Sequence, residues 1–449
     1  MSARHDPYAA LSHPTYRRYL AGSFLALFGR QMSGVAVTWE VYQWTHSATA
    51  LGLVGFINVL PVLALSLPAG VLADRKDRRG IIAVTAGLVA LLTILLALVS
   101  WRHALIPDYA PLHQANALLR RIALVFERHV DPASLDFSQP ALPLVYLLLF
   151  AMAVLRILGW PARAAIIPLL LPVQALSNAI TWNSSASEIA TMAGPALGGF
   201  LVAKAGFPVV YLLDATLSLT LVVLLSRVTY LQPPKPPTVQ RSWRGMLAGA
   251  EFIWRKKVIL GASSLDLFAV LLGGAITLLP IYADKILHVD AIGFGWLRAA
   301  PSIGACSMAM WQAHRGPLAR PGRALLWAVA GFGAAIIAFG LSTWFWLSLV
   351  ALFFTGAFDN VSVVIRQSLV QLLTPDALRG RVTSVNQIFV GSSNEIGALR
   401  AGLMAALFGP VTAVLVGGLG TIAVVGLIAR LVPGLRALAP LNELGPEEE

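Results

Sequence analysis

Gly70-Val71-Leu72-Ala73-Asp74-Arg75-Lys76-Asp77-Arg78-Arg79 stands between two long apolar stretches. Asp74 is followed closely by Arg75, Lys76, Arg78 and Arg79. Charge at this density cannot lie in hydrocarbon, so the stretch reads as a tight hairpin loop at a membrane surface. Its basic residues mark that surface as the cytoplasmic one.

The rest of the chain supports a membrane reading. Of 449 residues, 57% are hydrophobic and only 12% charged, with a mean hydropathy of +0.74. Soluble domains are about half apolar and about a quarter charged. A globular enzyme is therefore excluded. The net charge of +12 would suggest nucleic acid in a soluble chain. Here the basic residues fall in loops beside apolar segments, so they read as orientation signals and no nucleic-acid partner is expected. One cysteine, Cys306, excludes an internal disulfide and a cysteine-rich metal site. Met1 to Arg18 is polar and the first apolar segment runs on to spanning length, so no cleavable signal is expected.

A helix needs about 20 mostly apolar residues to cross a bilayer. By that measure twelve spans are expected, at 19–44, 51–73, 80–101, 143–170, 178–203, 208–229, 258–283, 292–312, 324–342, 344–371, 381–408 and 411–432. The charges test the count. One side receives Arg4, Arg17, Arg18, the 75–79 cluster, Lys235, Arg241, Arg244 and Arg255-Lys256-Lys257. It also receives Arg315, Arg320, Arg323, Arg379, Arg381 and Arg436. The other side has short gaps with few basic residues, such as Lys204 and Lys285. Both termini are expected in the cytoplasm of a multi-pass inner (plasma) membrane protein.

The expected organisation is an N-terminal six-helix bundle over 1–229, a linker over 230–257, a C-terminal bundle over 258–432 and a cytoplasmic tail over 433–449. An outward loop, 102–142, holds a helix over Leu112–Arg128 that presents Leu118, Ile122, Val125 and Phe126 on one face. That helix is expected either on the outer membrane surface or as a lid. Four linker prolines, Pro233, Pro234, Pro236 and Pro237, stiffen the linker before a basic amphipathic helix at Trp243–Lys257.

The halves repeat. Arg163 and Arg366, Pro172 and Pro375, Asn183 and Asn386, Gly199 and Gly402, and Gly206 and Gly409 are separated by one offset. Arg156 and Asp359 share it. A six-plus-six repeat implies a substrate site between halves and alternating access.

The spacing Gly-x-x-x-Asp-Arg-x-x-Arg-Arg at Gly70, Asp74, Arg75, Arg78 and Arg79 resembles the loop between helices 2 and 3 of the major facilitator superfamily, with Asp77 where that family has Gly. The resemblance covers essentially the whole chain. Its nearest branch is similar to the enterobactin-exporter group of drug:proton antiporters, through Val35-Ala36-Val37, Thr45-His46-Ser47, Gly194-Pro195-Ala196-Leu197-Gly198-Gly199, Gln371-Leu372-Leu373-Thr374-Pro375 and Arg379-Gly380-Arg381. It implies an all-α membrane protein with twelve transmembrane helices in two pseudo-symmetric six-helix bundles, the major facilitator fold. The Gly194, Pro195, Gly198 and Gly199 pattern is similar to an exporter motif of the fifth helix. Arg156 resembles the cavity-facing Arg of drug exporters, without the Gln that follows it there.

Ionisable residues inside spans are costly unless they face a partner or water. Glu40, Glu188, Asp359 and Glu395 are the proton-coupling candidates. Solvation near the membrane surface is the plain alternative for Glu40, whereas Glu188 and Glu395 are expected deep in their helices. Asp214 and Asp266 are expected to pair with loop cations, and Arg163 and Arg366 to share a structural role in the cytoplasmic loop network. Asn58, Arg156, Asn183, Asn360, Asn386, Gln387 and Asn394 are the substrate-cavity candidates, with Arg400 a further charge in the eleventh span. Asp74 is expected to accept hydrogen bonds from the eleventh helix backbone or from a nearby Arg when the protein faces outward, with Arg75 and Arg78 or Arg79 clamping the loop. No phosphate-binding loop of the ATPase kind is present, and the eight His lack zinc spacing, so neither ATP, metal nor other cofactor is expected. The expected function is secondary transport by a monomer, using protons to export an amphipathic or siderophore-like small molecule. A proton-coupled nutrient importer, or a non-transporting receptor or assembly factor, are the alternatives.

Overall fold

The computed structural model describes residues 8–103, 106–107, 109–127, 130–228, 250–314 and 320–438. Most of the expected linker and the end of the tail lie outside these residues. So do the side chains of Asp74, Arg379, Arg381 and Gln387.

Helices dominate. They are α1 (Pro14–Thr45), α2 (Ala48–Arg75), α3 (Arg78–Trp101), α4 (Ala110–Phe126), α5 (Leu142–Ile166), α6 (Val173–Ala205) and α7 (Phe207–Ser226). The later ones are α8 (Lys257–Gly273), α9 (Ala291–Ala313), α10 (Pro321–Leu341), α11 (Phe345–Leu373), α12 (Asp376–Phe408), α13 (Pro410–Leu431) and the short α14 (Pro433–Arg436). Ten helices among the described residues are long and apolar enough to cross a membrane, counting α8 with its continuation to Ile286. Helices α9 and α12, of 23 and 33 residues, complete the twelve expected spans.

The chain packs as two compact units. One comprises Met1–Trp44, Leu60–Leu118 and Phe137–Thr238; the other Thr45–Val59, Leu119–Asp136 and Val239–Glu449. Two segments of the expected N-terminal half, 45–59 and 119–136, thus pack with the second unit. In the first unit α3 lies against both α5 and α7. In the second, α10 lies against both α11 and α13, the repeat of the same arrangement. Tyr16, Ile82, Ile166 and Leu221 are buried in one core, and Leu265, Leu325, Ile365 and Leu369 in the other.

The repeat extends to backbone conformation. Pro172 and Pro375 precede α6 and α12 with ψ of 152° and 146°. An extended residue before each helix fixes where it begins. Gly206 and Gly409 end the same helices with φ of 82° and 83°. That left-handed region is open to Gly at no steric cost, and it allows the next helix to start at once.

The charged hairpin is tight: only Lys76 and Asp77 separate α2 from α3. Asp77, which departs from the family pattern, caps α3 by accepting from the Gly80 N–H at 2.8 Å. Arg78 donates to the Ala165 carbonyl at 2.9 Å, at the end of α5. Arg79 donates to the carbonyls of Ser226 and Val228 at 2.8 and 2.9 Å, at the end of α7. The two guanidiniums satisfy carbonyls that a helix end leaves without partners, where positive charge is also favoured. Arg75 is exposed.

Helix α4 forms where a loop helix was expected. Asn116, Ala123 and Glu127 are buried, whereas Leu118 and Val125 are exposed. Polar anchors set this buried line. The Asn116 amide donates to the Gln139 carbonyl at 2.8 Å. Within the second unit, the Glu127 carboxylate accepts from the Ser47 hydroxyl and from the Thr49 N–H, the latter at 2.9 Å, at the start of α2.

Candidate functional site

Packing between helices positions the charged side chains. In the first unit α6 meets α1 through its Gly-Pro motif. A Cβ on Gly194 would come within 2.6 Å of Gln31 Cβ, and one on Gly198 within 2.8 Å of the Met32 Cα. Only glycine permits that approach. The repeat places Gly397 of α12 against α8, where a Cβ would lie 2.8 Å from the Val270 carbonyl. Interhelical packing by small residues is the rule where lipid supplies no hydrophobic drive.

Two charged clusters sit on these frames. In the first unit, buried Asp214 of α7 lies within electrostatic reach of Arg156 on α5 and Arg30 on α1. Its carboxylate accepts from the Ser218 hydroxyl at 3.4 Å. In the second unit, Asp266 of α8 and Arg366 of α11 form an ion pair, each 4% exposed. Asp359, two helical turns before Arg366, interacts with both members of the pair. A small cavity between α8, α10 and α11 is lined by Asp266, Asp359, Ser362, Phe332 and Phe358. One cluster therefore has two cations and one acid, the other two acids and one cation. The repeat-related positions Arg156 and Asp359 account for the exchange of sign.

Several expectations change. Asp266 pairs with Arg366 inside the bundle, not with a loop cation, and Asp214 likewise meets span residues. Among the described residues, Arg366 faces an acid on the neighbouring helix, and Arg163 does not. Arg163 lies beside Tyr19, whose hydroxyl donates to the Arg163 carbonyl at 3.0 Å. Glu40 is not a solvated surface acid. It is 2% exposed, and its carboxylate accepts from the Ser100 hydroxyl and from the Tyr211 hydroxyl, the latter at 2.7 Å. Glu188 lies midway along α6, and its side chain is exposed on a stripe with Thr181, Ser184 and Ser185. That helical spacing puts all four on one face of α6.

Glu395 of α12 is half-buried and within electrostatic reach of Arg298 on α9. Asn360, beside Asp359, accepts from the Gln312 amide at 3.0 Å. Asn386 is buried, Asn58 and Asn183 half-buried, and Asn394 exposed with its amide donating to the Val390 carbonyl at 2.8 Å. Arg30 and Arg298 were missed as sequence candidates, although a charge within an apolar span is itself the signal. Among the described residues no group of three His, Cys, Asp or Glu is placed to hold a metal ion.

The family model of the Major Facilitator Superfamily matches residues 19–398. The chain belongs to the Major Facilitator Superfamily. It is a multi-pass membrane transporter and not an enzyme. It is 27% identical over 424 residues to the enterobactin exporter EntS of Citrobacter koseri, covering 94% of this chain and 92% of that protein. The EntS protein of Escherichia coli is 26% identical over 422 residues, with the same coverage. Among solved structures, a bacterial homolog of the human lysosomal transporter Spinster, inward-facing and occupied, gives a TM-score of 0.67 at 13% identity, covering 96% of this chain and 99% of that one. The Escherichia coli xylose transporter XylE, inward open, gives 0.64 at 13% identity, covering 93% and 96%. At such identities the structures bear on the fold alone.

Proposed function

We propose that this superfamily transporter resides in the inner membrane with both termini in the cytoplasm, works as a monomer of two bundles, 1–229 and 258–432, and exports a siderophore-like small molecule in exchange for protons. The export reading is supported by similarity to enterobactin exporters along nearly the whole chain. The coupling reading rests on one observation: Asp266 and Asp359 line one small cavity within a single unit, and Arg366 pairs with Asp266 beside it.

One guanidinium compensates one carboxylate. A second carboxylate leaves a net negative charge among spanning helices, which is expensive unless it takes up a proton or a cation. Asp266 is held directly by Arg366. Asp359 is the carboxylate left over, so Asp359 carries the proton. Glu40 is buried in the first unit with two hydroxyl donors and is the second proton-binding candidate. The polar stripe ending at Glu188 faces water rather than lipid in this reading and forms part of the substrate path.

The test is accumulation in cells overproducing the protein, with enterobactin as the probe. Export lowers the cellular level, and a protonophore restores it. Raised, protonophore-sensitive accumulation would instead establish an importer.

A further inference from the structure

The seventh span is broken. Helix α8 stops at Gly273, and the chain continues through a 3-10 turn at Ala275–Leu278, a helical turn at Leu279–Ile281 and a π-helical turn at Tyr282–Ile286. The last carbonyls of α8 have no partners within the helix, in a span where backbone groups must be satisfied internally. Arg400 of α12 supplies them. Its Nε donates to the Leu271 carbonyl at 2.8 Å, and a terminal guanidinium nitrogen donates to the Leu272 carbonyl. Glycines bring the backbones together around it: a Cβ on Gly274 would sit 2.9 Å from the Gly397 carbonyl, and Gly274 and Gly417 both border the guanidinium. Among the described residues no carboxylate pairs with Arg400. Its positive charge meets the negative end of the α8 dipole.

The other half provides a comparison. The repeat offset that relates Gly199 to Gly402 relates Leu197 to Arg400. Leu197 belongs to α6, which packs on α1, and α1 runs unbroken from Pro14 to Thr45. The arginine occurs in the half with the broken helix and is replaced by leucine in the half without one.

We infer that Arg400 is a tethered cation that closes the break in the seventh span and sets the angle between its two parts. The carbonyl end of a half-helix at membrane depth is a cation-binding feature, filled in other transporters by a coupling ion. Here a side chain fills it, so the bend is held by the protein itself, and movement of α12 is transmitted to the seventh span through these two hydrogen bonds. Arg400 is a positioning residue for transport.

The test reads the span directly and does not depend on knowing the substrate. Spin labels are placed by Lys257→Cys and Lys285→Cys, on either side of the break, in a Cys306→Ser background. A narrow distance distribution is expected with Arg400 present and a broad or shifted one for Arg400→Ala. Guanidinium chloride at a non-denaturing concentration restores the narrow distribution, and Arg400→Lys preserves much of it. Turnover of enterobactin by Arg400→Ala in proteoliposomes falls about tenfold or more, the scale of a lost charge-assisted bond, and recovers with guanidinium. Arg400→Met controls for volume. A narrow, unshifted distribution in Arg400→Met or Arg400→Ala would overturn the inference. So would a folded Arg400→Ala protein whose broad distribution ignores guanidinium.

Discussion

Arg366 and Asp266 face each other from α11 and α8 as an ion pair with both side chains 4% exposed. Neither can turn to water when its partner is removed. Breaking a buried pair costs about 3–5 kcal/mol, because the remaining charge is uncompensated. Asp266→Leu and Arg366→Leu are each expected to lower the melting temperature of the purified protein sharply. The double variant Asp266→Leu with Arg366→Leu should recover much of the loss. Thermal unfolding in one detergent checks this, and additive losses in the double variant would deny the pairing.

Asp359 stands beside that pair without a guanidinium of its own. Asp359→Asn keeps the shape and removes the proton. Exchange of labelled for unlabelled enterobactin at equal pH should persist, while transport driven by a pH gradient should fall to the level of empty vesicles. Gradient-driven transport at the unmodified rate would move the coupling role elsewhere, and Glu40→Gln is then the next variant to measure.

The hairpin between α2 and α3 gives a prediction about stability alone. Asp77 caps α3, and a lost cap costs about 1 kcal/mol for Ala but only a few tenths for Gly. Asp77→Ala should therefore melt below Asp77→Gly, the residue usual in the family. An equal melting temperature for the two variants would show that the cap contributes nothing.

Packing of α6 on α1 is equally open to test. A Cβ on Gly198 would meet the Met32 backbone at 2.8 Å. Backbone cannot yield as a side-chain end can. Gly198→Val should cost about 1–3 kcal/mol through overpacking. The equivalent change at Gly87, where a Cβ would meet only Val222 at 4.0 Å, should cost much less. Melting temperatures of the two variants decide.

Much of this architecture is legible in the chain. Apolar length and the side on which basic residues fall give the spans. Pro172, Pro375, Gly206 and Gly409 mark helix boundaries because their conformations are restricted or special, so their common offset carries structural information. The pairing of charges is not legible in the same way. In helices that are apolar all round, periodicity does not say which face meets which neighbour. Asp266 and Arg366 are 100 residues apart, and nothing local distinguishes their pairing from one with a loop. Glu188 was readable in principle, since Thr181, Ser184 and Ser185 share its face at helical spacing. Asp77 was readable too, as a cap residue directly before a helix.

In the proposed mechanism, inward proton movement drives this transporter's substrate outward. Purified protein in proteoliposomes, with an acidic lumen and enterobactin outside, tests it most directly. Uptake toward the acidic side is expected, abolished by a protonophore and by Asp359→Asn. Uptake that ignores the gradient, or that runs only when the outside is acidic, would contradict it.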